Sequence, residues 1–249
     1  WLLLDIGTNG EMLLGNAMDG YVCCARAAGS AFEGAEITMG MPAADGAIAS
    51  VMYKNHRLSV GTIGEKDAVG ICGSGLLDAL AVFLEAGLMD ESGMLMEVEE
   101  VPEELRGYIG TYEGQPCVWL SEKVCVTQED VRNLQLAKAA IAAGIEILLK
   151  EKAFGYKDVT GVWLAGGFGS FLNTESAAKI GLIPKELLPV TEAVGNAAGE
   201  GAVFAAISKK AREHLLEIQG KMHYLELSMH PAFSDLYMDC IPFTSYSGV

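Results

Sequence analysis

The chain of 249 residues has no apolar run near the ~20 residues that a membrane span requires, although hydrophobic residues make up 51% of it. A membrane partner is therefore not expected. Positive charge is also scarce. Seventeen Lys and Arg stand against 33 Asp and Glu, a formal net charge of −16, which repels nucleic-acid backbones and anionic lipid headgroups at long range. Nucleic acid is not expected as a partner on the same ground. The six cysteines, at positions 23, 24, 72, 117, 125 and 240, form no CxxC pair, and the four histidines are scattered without metal-ligand spacing. No zinc or iron–sulfur site is read within the chain, and reduced thiols in a cytoplasm are expected. Neither Ser74 nor Ser170 has the His and Asp context of a nucleophilic serine. There is no internal repeat and no low-complexity stretch.

What is present is glycine, 30 residues, clustered at 7–10, 70–75, 166–169 and 195–201. The length suits one large domain or two small ones, with roughly 70–75% of the unfolded surface buried on folding. Strands are expected at 2–6, 10–16 and 20–27, an antiparallel meander whose second turn is Met18-Asp19-Gly20. Residues 28–50 read as loop, followed by short strands near 47–53 and 57–63. A buried helix follows GICGSG and ends at Gly87. Residues 88–125 read as an inserted excursion. The clearest helix is 128–153, with Thr127 and Asp130 as a capping box, Val131, Leu134, Ile141, Ile145 and Leu148 on one face, and Gly155 at its exit. A strand at 161–165 opens into GGFGS, a short helix runs from Thr174 to Ile180, and a strand lies near 187–191. One long helix capped by Asn196, a strand at 223–227 and a helix at 230–239 complete the order.

The meander followed by alternating strands and helices is an α/β pattern, that of a ribonuclease-H-like lobe. DIGTNGE and LAGGFGS resemble the phosphate and adenosine motifs of the actin-like ATPase superfamily, which contains the sugar kinases, the heat-shock chaperone ATPases and actin. More narrowly, DIGTNGE, AFEGAEITMGM, DGAI, GICGSGLLD, QLAKAAI, LAGGFG and GNAAGEGA resemble the C-terminal ATPase domain of the reductive activators of corrinoid proteins. The resemblance runs over about residues 2–243 and is weakest at 90–120. It implies a single actin-like ATPase domain over 1–249. It also implies ATP or ADP with Mg²⁺ as cofactors, a corrinoid (cobalamin-binding) protein as partner and a homodimer. The whole activator would couple ATP hydrolysis to reduction of inactive cob(II)amide to the cob(I) state. The chain opens in mid-strand without Met, so a fragment is expected: its 2Fe–2S ferredoxin domain, middle domain and second nucleotide lobe would lie upstream, leaving the isolated piece inactive.

The same residues carry a physical reading. An aspartate ending a buried strand needs a partner. Asp5 could hold the water shell of Mg²⁺, a hard cation that keeps several waters and takes one or two carboxylates. The glycines of the hairpin, Gly7 and Gly10, let backbone N–H groups approach an anion, with Thr8 and Asn9 adding donors; the alternative is a turn whose Asp caps nearby amides. Asp5 and Glu11 are the candidate catalytic carboxylates, Asp5 also the metal residue. Gly166 and Gly167 would let a nucleoside lie against the backbone, with Phe168 and Gly169 beside them, against the alternative of a turn that needs glycine. Gly73, Ser74 and Gly75 open a helix whose N-terminus favours an anion, although close packing is the better explanation of such small residues. Lys138 could reach a ribose or phosphate, or be a solvated lysine. Glu33 and Glu36 could position water, contact a partner, or simply be solvated. A small-molecule kinase and a non-catalytic docking module remain the rival functions.

Overall fold

The computed structural model describes residues 1–27, 29, 31–169 and 172–243, with the side chains of 168 and 169 outside that description. The meander is β1 (Leu2–Ile6), β2 (Asn9–Asn16) and β3 (Gly20–Ala27). In β1 the alternation is strict: Leu2, Leu4 and Ile6 are buried while Leu3 and Asp5 face the other side. Asn16 closes the second turn by accepting from the N–H groups of Met18 and Asp19, and Gly20 adopts φ 71°.

Downstream, β10 (Val162–Ala165) and β11 (Thr191–Gly195) add in parallel beside β1, and β12 (Met222–Tyr224) adds in parallel beside β3. The sheet order is β11-β10-β1-β2-β3-β12. A meander flanked by parallel strands is the ribonuclease-H-like arrangement expected from the sequence. Its last strands differ in place: Thr191–Gly195 replaces 187–191, where a 3₁₀ turn runs over Lys185–Val190, and β12 ends at Tyr224. Pro189 inside the expected strand lacks a ladder donor.

Across the inner face lies α2 (Gln128–Lys152). Thr127 and Asp130 form the expected capping box, with Thr127 N–H donating to Asp130 at 2.8 Å. Two glycines let helix and sheet approach. A Cβ on Gly144 would stand 2.4 Å from Met12, and one on Gly10 would stand 3.2 Å from Ile141. The helix is buried on all sides from Ala137 to Leu149, not along one face only. Its exit is made by Ala153 at φ 52°, two residues before Gly155.

A second unit is inserted between β3 and α2. A hairpin of β4 (Ala47–Lys54) and β5 (Arg57–Thr62) turns through Asn55 and His56, both at positive φ, and β6 (Gly70–Ile71) pairs with β4. Helix α1 (Gly73–Ala86) packs on β4 and stops at Gly87, φ 70°. The excursion is itself ordered: a 3₁₀ turn at Glu103–Tyr108, then a three-stranded antiparallel sheet of β7 (Ile109–Tyr112), β8 (Gln115–Trp119) and β9 (Cys125–Thr127). Glu113-Gly114, both at positive φ, is its hairpin signal.

The remaining helices are the single turn α3 (Gly166–Gly169), α4 (Thr174–Lys179), α5 (Ala197–Ile207), α6 (Lys209–Gly220) and α7 (Phe233–Asp239). The long helix expected after Asn196 is two: Ser208 is extended and its hydroxyl accepts from Ala211 N–H, ending one helix and capping the next. Among the described residues no helix is long and apolar enough to cross a membrane.

Candidate functional site

Parallel pairing of β1 and β10 sets Asp5 beside Ala165. The turn after β1 and the turn after β10 consequently leave the sheet side by side, the place where ligands bind in α/β folds. Helix α1 brings its N-terminus to the same place because Gly75 lets it settle on β4: a Cβ there would be 2.1 Å from the Ile48 carbonyl oxygen. The result is a cavity of about 250 Å³ lined by Gly7 from the first turn, Gly167 from the second, and Gly73 and Ser74 from α1, with Phe32, Glu33 and Cys72 on its wall. Three separate glycine motifs meet on one space. A Cβ on Gly167 would meet nothing within 4 Å. Glycine there keeps the space open and is not demanded by core packing.

The electrostatics suit an anion that arrives with its own cation. Cys72, the N-cap of α1, makes no side-chain capping bond, so first-turn N–H groups are open and carry the positive end of the helix dipole. No Lys or Arg lines the cavity. Ser74 is already engaged, its hydroxyl donating to the Ala49 carbonyl at 3.0 Å. Thr8, exposed on the hairpin, donates to Glu33 Oε1 at 2.7 Å, and Asn9 is exposed beside it.

Asp5 is half-buried and has no hydrogen-bond partner among the described residues. Its Oδ1 would lie 2.5 Å from a Cβ on Gly166, which sits at φ +92°; any larger residue would strike the carboxylate and be strained. An unpaired carboxylate cradled against glycine backbone fits a hydrated divalent ion on a nucleotide. A dedicated cage is not available, since the described residues contain no group of three or more His, Cys, Asp or Glu at metal-holding distances. Glu11 stands opposite Asp5 in the β1–β2 ladder. Both open on a second, apolar cavity of about 380 Å³ on the outer sheet face, with Leu3, Leu13, Cys23 and Met222. Neither carboxylate lines the first cavity.

Several expected residues have other duties. Gly10 and Gly75 serve close packing, as the distances above require. Phe168 and Gly169 complete the α3 turn, and Ser170 lies outside the described residues. Glu36 is exposed at φ 63°, and its carbonyl accepts from Asn133 at 2.7 Å. Lys138 neither reaches the cavity nor faces solvent: it is fully buried, donates to the Pro242 carbonyl at 2.5 Å, and lies 5.4 Å from the Phe243 ring centre. Burial lowers its ammonium pKa to about 8.

Sequence reasoning missed Asp78. It is buried on α1, one turn beyond Ser74, and its Oδ1 has no hydrogen bond while Oδ2 accepts from Val51 N–H at 3.4 Å. Burial raises its carboxyl pKa, against smaller lowering contributions from Ser176, Val51 and Asn173. The signal was an aspartate inside the otherwise apolar LLDALAVF.

A family model described as the C-terminal domain of RACo, the ASKHA domain, matches residues 1–246. Among curated proteins, the chain is 34% identical over 248 residues to the corrinoid activation enzyme RamQ of Eubacterium limosum, covering 95% of this chain and 42% of that protein. It is 27% identical over 261 residues to the [Co(II) methylated amine-specific corrinoid protein] reductase of Methanosarcina barkeri, covering 95% and 45%. Among solved structures it is similar to a reductive activator for corrinoid, iron-sulfur protein, with a TM-score of 0.86 and 38% identity over 97% of this chain and 39% of that one. The chain thus spans less than half the length of the relatives it matches.

Proposed function

The chain belongs to the family of RACo C-terminal ASKHA domains, and from that premise we propose that it is the ATP-binding and ATP-hydrolysing module of a reductive activator of corrinoid proteins. The observation that carries this reading is the meeting of DIGTNG, GSG and GGFG on one cavity. In it, the hairpin backbone, the Thr8 N–H included, and the Asn9 amide hold phosphate, and the first turn of α1 at Gly73 and Ser74 supplies further N–H donors. Gly166 and Gly167, in the turn completed by Phe168 and Gly169, accept the nucleoside. Asp5, at the end of β1 beside Gly166, holds the water shell of Mg²⁺, and Glu11, which opens on the second cavity, is given no part in it. Bound Mg²⁺ supplies the charge neutralisation that the cavity's own residues lack.

In the whole protein, hydrolysis would drive electron transfer from an upstream 2Fe–2S domain to a cob(II)amide protein, in a cytoplasm. The partner is the corrinoid protein. A second copy of the chain is the other, and exposed Val203, Phe204, Ile207 and Leu216 on α5 and α6 leave apolar surface for it.

The test is calorimetric titration with ADP and Mg²⁺ of the wild type and Gly167→Val. The valine enters ligand space and meets no core atom, so ADP affinity should fall by about tenfold or more, with a Tm change below about 2 °C. Wild-type affinity in a folded variant would remove the nucleoside assignment.

A further inference from the structure

Glu33 stands on the cavity wall with Gly7, Ser74 and Gly167, and nothing in the nucleotide reading gives it a task. Its mount is rigid. Phe32, immediately before it, is only 2% exposed, and the two belong to the 3₁₀ turn Ala31–Glu33. Gly34 comes next at φ +78°, donating to the Ala31 carbonyl, and a Cβ on it would stand 2.8 Å from Met41 O. The segment then doubles back so closely that a Cβ on Gly40 would stand 1.8 Å from the Gly34 carbonyl oxygen. Thr38 ties it to the first turn of α2, its N–H and hydroxyl donating to Asp130 at 2.7 and 3.0 Å.

The carboxylate is also oriented. Thr8 Oγ1 donates to Oε1 at 2.7 Å, and Oε2 has no partner among the described residues. No Lys, Arg or His forms an ion pair with it among those residues. An uncompensated carboxylate at a phosphate cavity opposes ground-state binding of the anion, so a turn this constrained gains nothing in affinity by presenting one. The gain lies in the reaction.

We propose that Glu33 is the catalytic carboxylate that orients and deprotonates the water attacking the γ-phosphate. The inference rests on the nucleotide reading above. The water oxygen bonds to the γ-phosphorus as the bond from phosphorus to the β–γ bridging oxygen breaks; ADP leaves with that oxygen. One water proton passes to Glu33 Oε2 and from there to the departing inorganic phosphate or to solvent. Thr8 holds Oε1 fixed throughout. General-base catalysis of this kind is worth roughly 10²–10⁴ in rate.

The test uses the full-length protein carrying this domain, with ADP affinity by calorimetry and steady-state phosphate release. ADP binding by the wild type is measured first; its absence overturns the nucleotide reading, and the Glu33 assignment with it. Given binding, Glu33→Gln should keep ADP affinity within about threefold and lower kcat by about a hundredfold or more. Glu33→Asp should recover part of the rate. A kcat within about threefold of wild type, or a loss confined to Mg–ADP affinity with kcat kept, overturns the assignment.

Discussion

Two regions treat their polar groups in opposite ways. Around α2 and the C-terminal segment each is paired inside the chain. Gln135 donates to the Ser92 and Ile241 carbonyls while its oxygen accepts from Arg132. Glu146 accepts from Tyr156, and Lys138 donates to Pro242. At and beside the glycine cavity they are left open: among the described residues Asp5 has no hydrogen bond, the exposed Glu33 has one oxygen engaged, and Cys72 gives α1 no side-chain cap. Burying a polar group without a partner costs on the order of 1–3 kcal/mol. The first region meets that cost with protein atoms; the second leaves its groups to solvent or to a ligand. In the paired region Lys138, Glu146 and Cys240 are each displaced from their ordinary pKa by burial first.

The comparison breaks if substitutions in the paired region disturb ligand affinity, or if those at the cavity disturb the fold. Lys138→Ala should have the largest effect on stability. It opens a cavity against Phe243 and orphans the Pro242 carbonyl, at about 3 kcal/mol, read by denaturant unfolding, while ADP affinity stays at the wild-type value. A pH series sharpens this. The folded ammonium pKa is lowered to about 8, so the cost of charged Lys138 is fully present below about pH 8 and relieved as pH climbs towards the unfolded value near 10.4. Alanine should abolish that rise.

Asp5→Ala in the full-length protein should reverse the pattern, with Mg-dependent ATP turnover down by at least about tenfold, or 1.4 kcal/mol, and Tm nearly unchanged. Unaltered turnover in a folded variant would remove Asp5 from the site.

The smallest effect is expected at Asp78, which lies between the regions. Its folded pKa is raised, so the stability it contributes is full below the ordinary carboxylate range and is lost as pH rises through the folded value. Asp78→Asn should therefore stabilise by about 1 kcal/mol at pH 8 and by less at pH 4. Thermal unfolding at the two values checks the sign; a lower Tm at pH 8 would show that the ionised form is held by contacts the apolar surroundings do not supply.

Elements with local chemistry are legible in the sequence. The capping box at Thr127 and Asp130, the Gly87 stop and the first hairpins depend on residues within a few positions of one another. The failures are those of context. Ser208 divides a helix because its hydroxyl can cap α6, which composition alone does not reveal. Gly155 looks like the better helix exit, yet Ala153 takes the left-handed position. The 88–125 excursion hides its sheet although Glu113-Gly114 marks a two-residue hairpin, since its strands are short.

At the site, the strand-ending Asp5 and the glycine clusters announce themselves because close backbone approach and a charge after an apolar run leave a local trace. Lys138, Glu33 and Asp78 cannot be sorted that way. On a helix, a lysine among alanines looks the same whether solvent or a folded-back carbonyl awaits it, and a loop glutamate looks solvated until Thr8 is found 2.7 Å away. Propensity, periodicity and turn chemistry act over a few residues, and they determined the elements, the acidic surface and the positions where backbone must come close to something. Which carboxylate faces the cavity, which glycine opens it and which only permits packing, and which cation is buried were decided by contacts between segments far apart in sequence. Those contacts exist only once the sheet has ordered its strands and α2 has settled upon it.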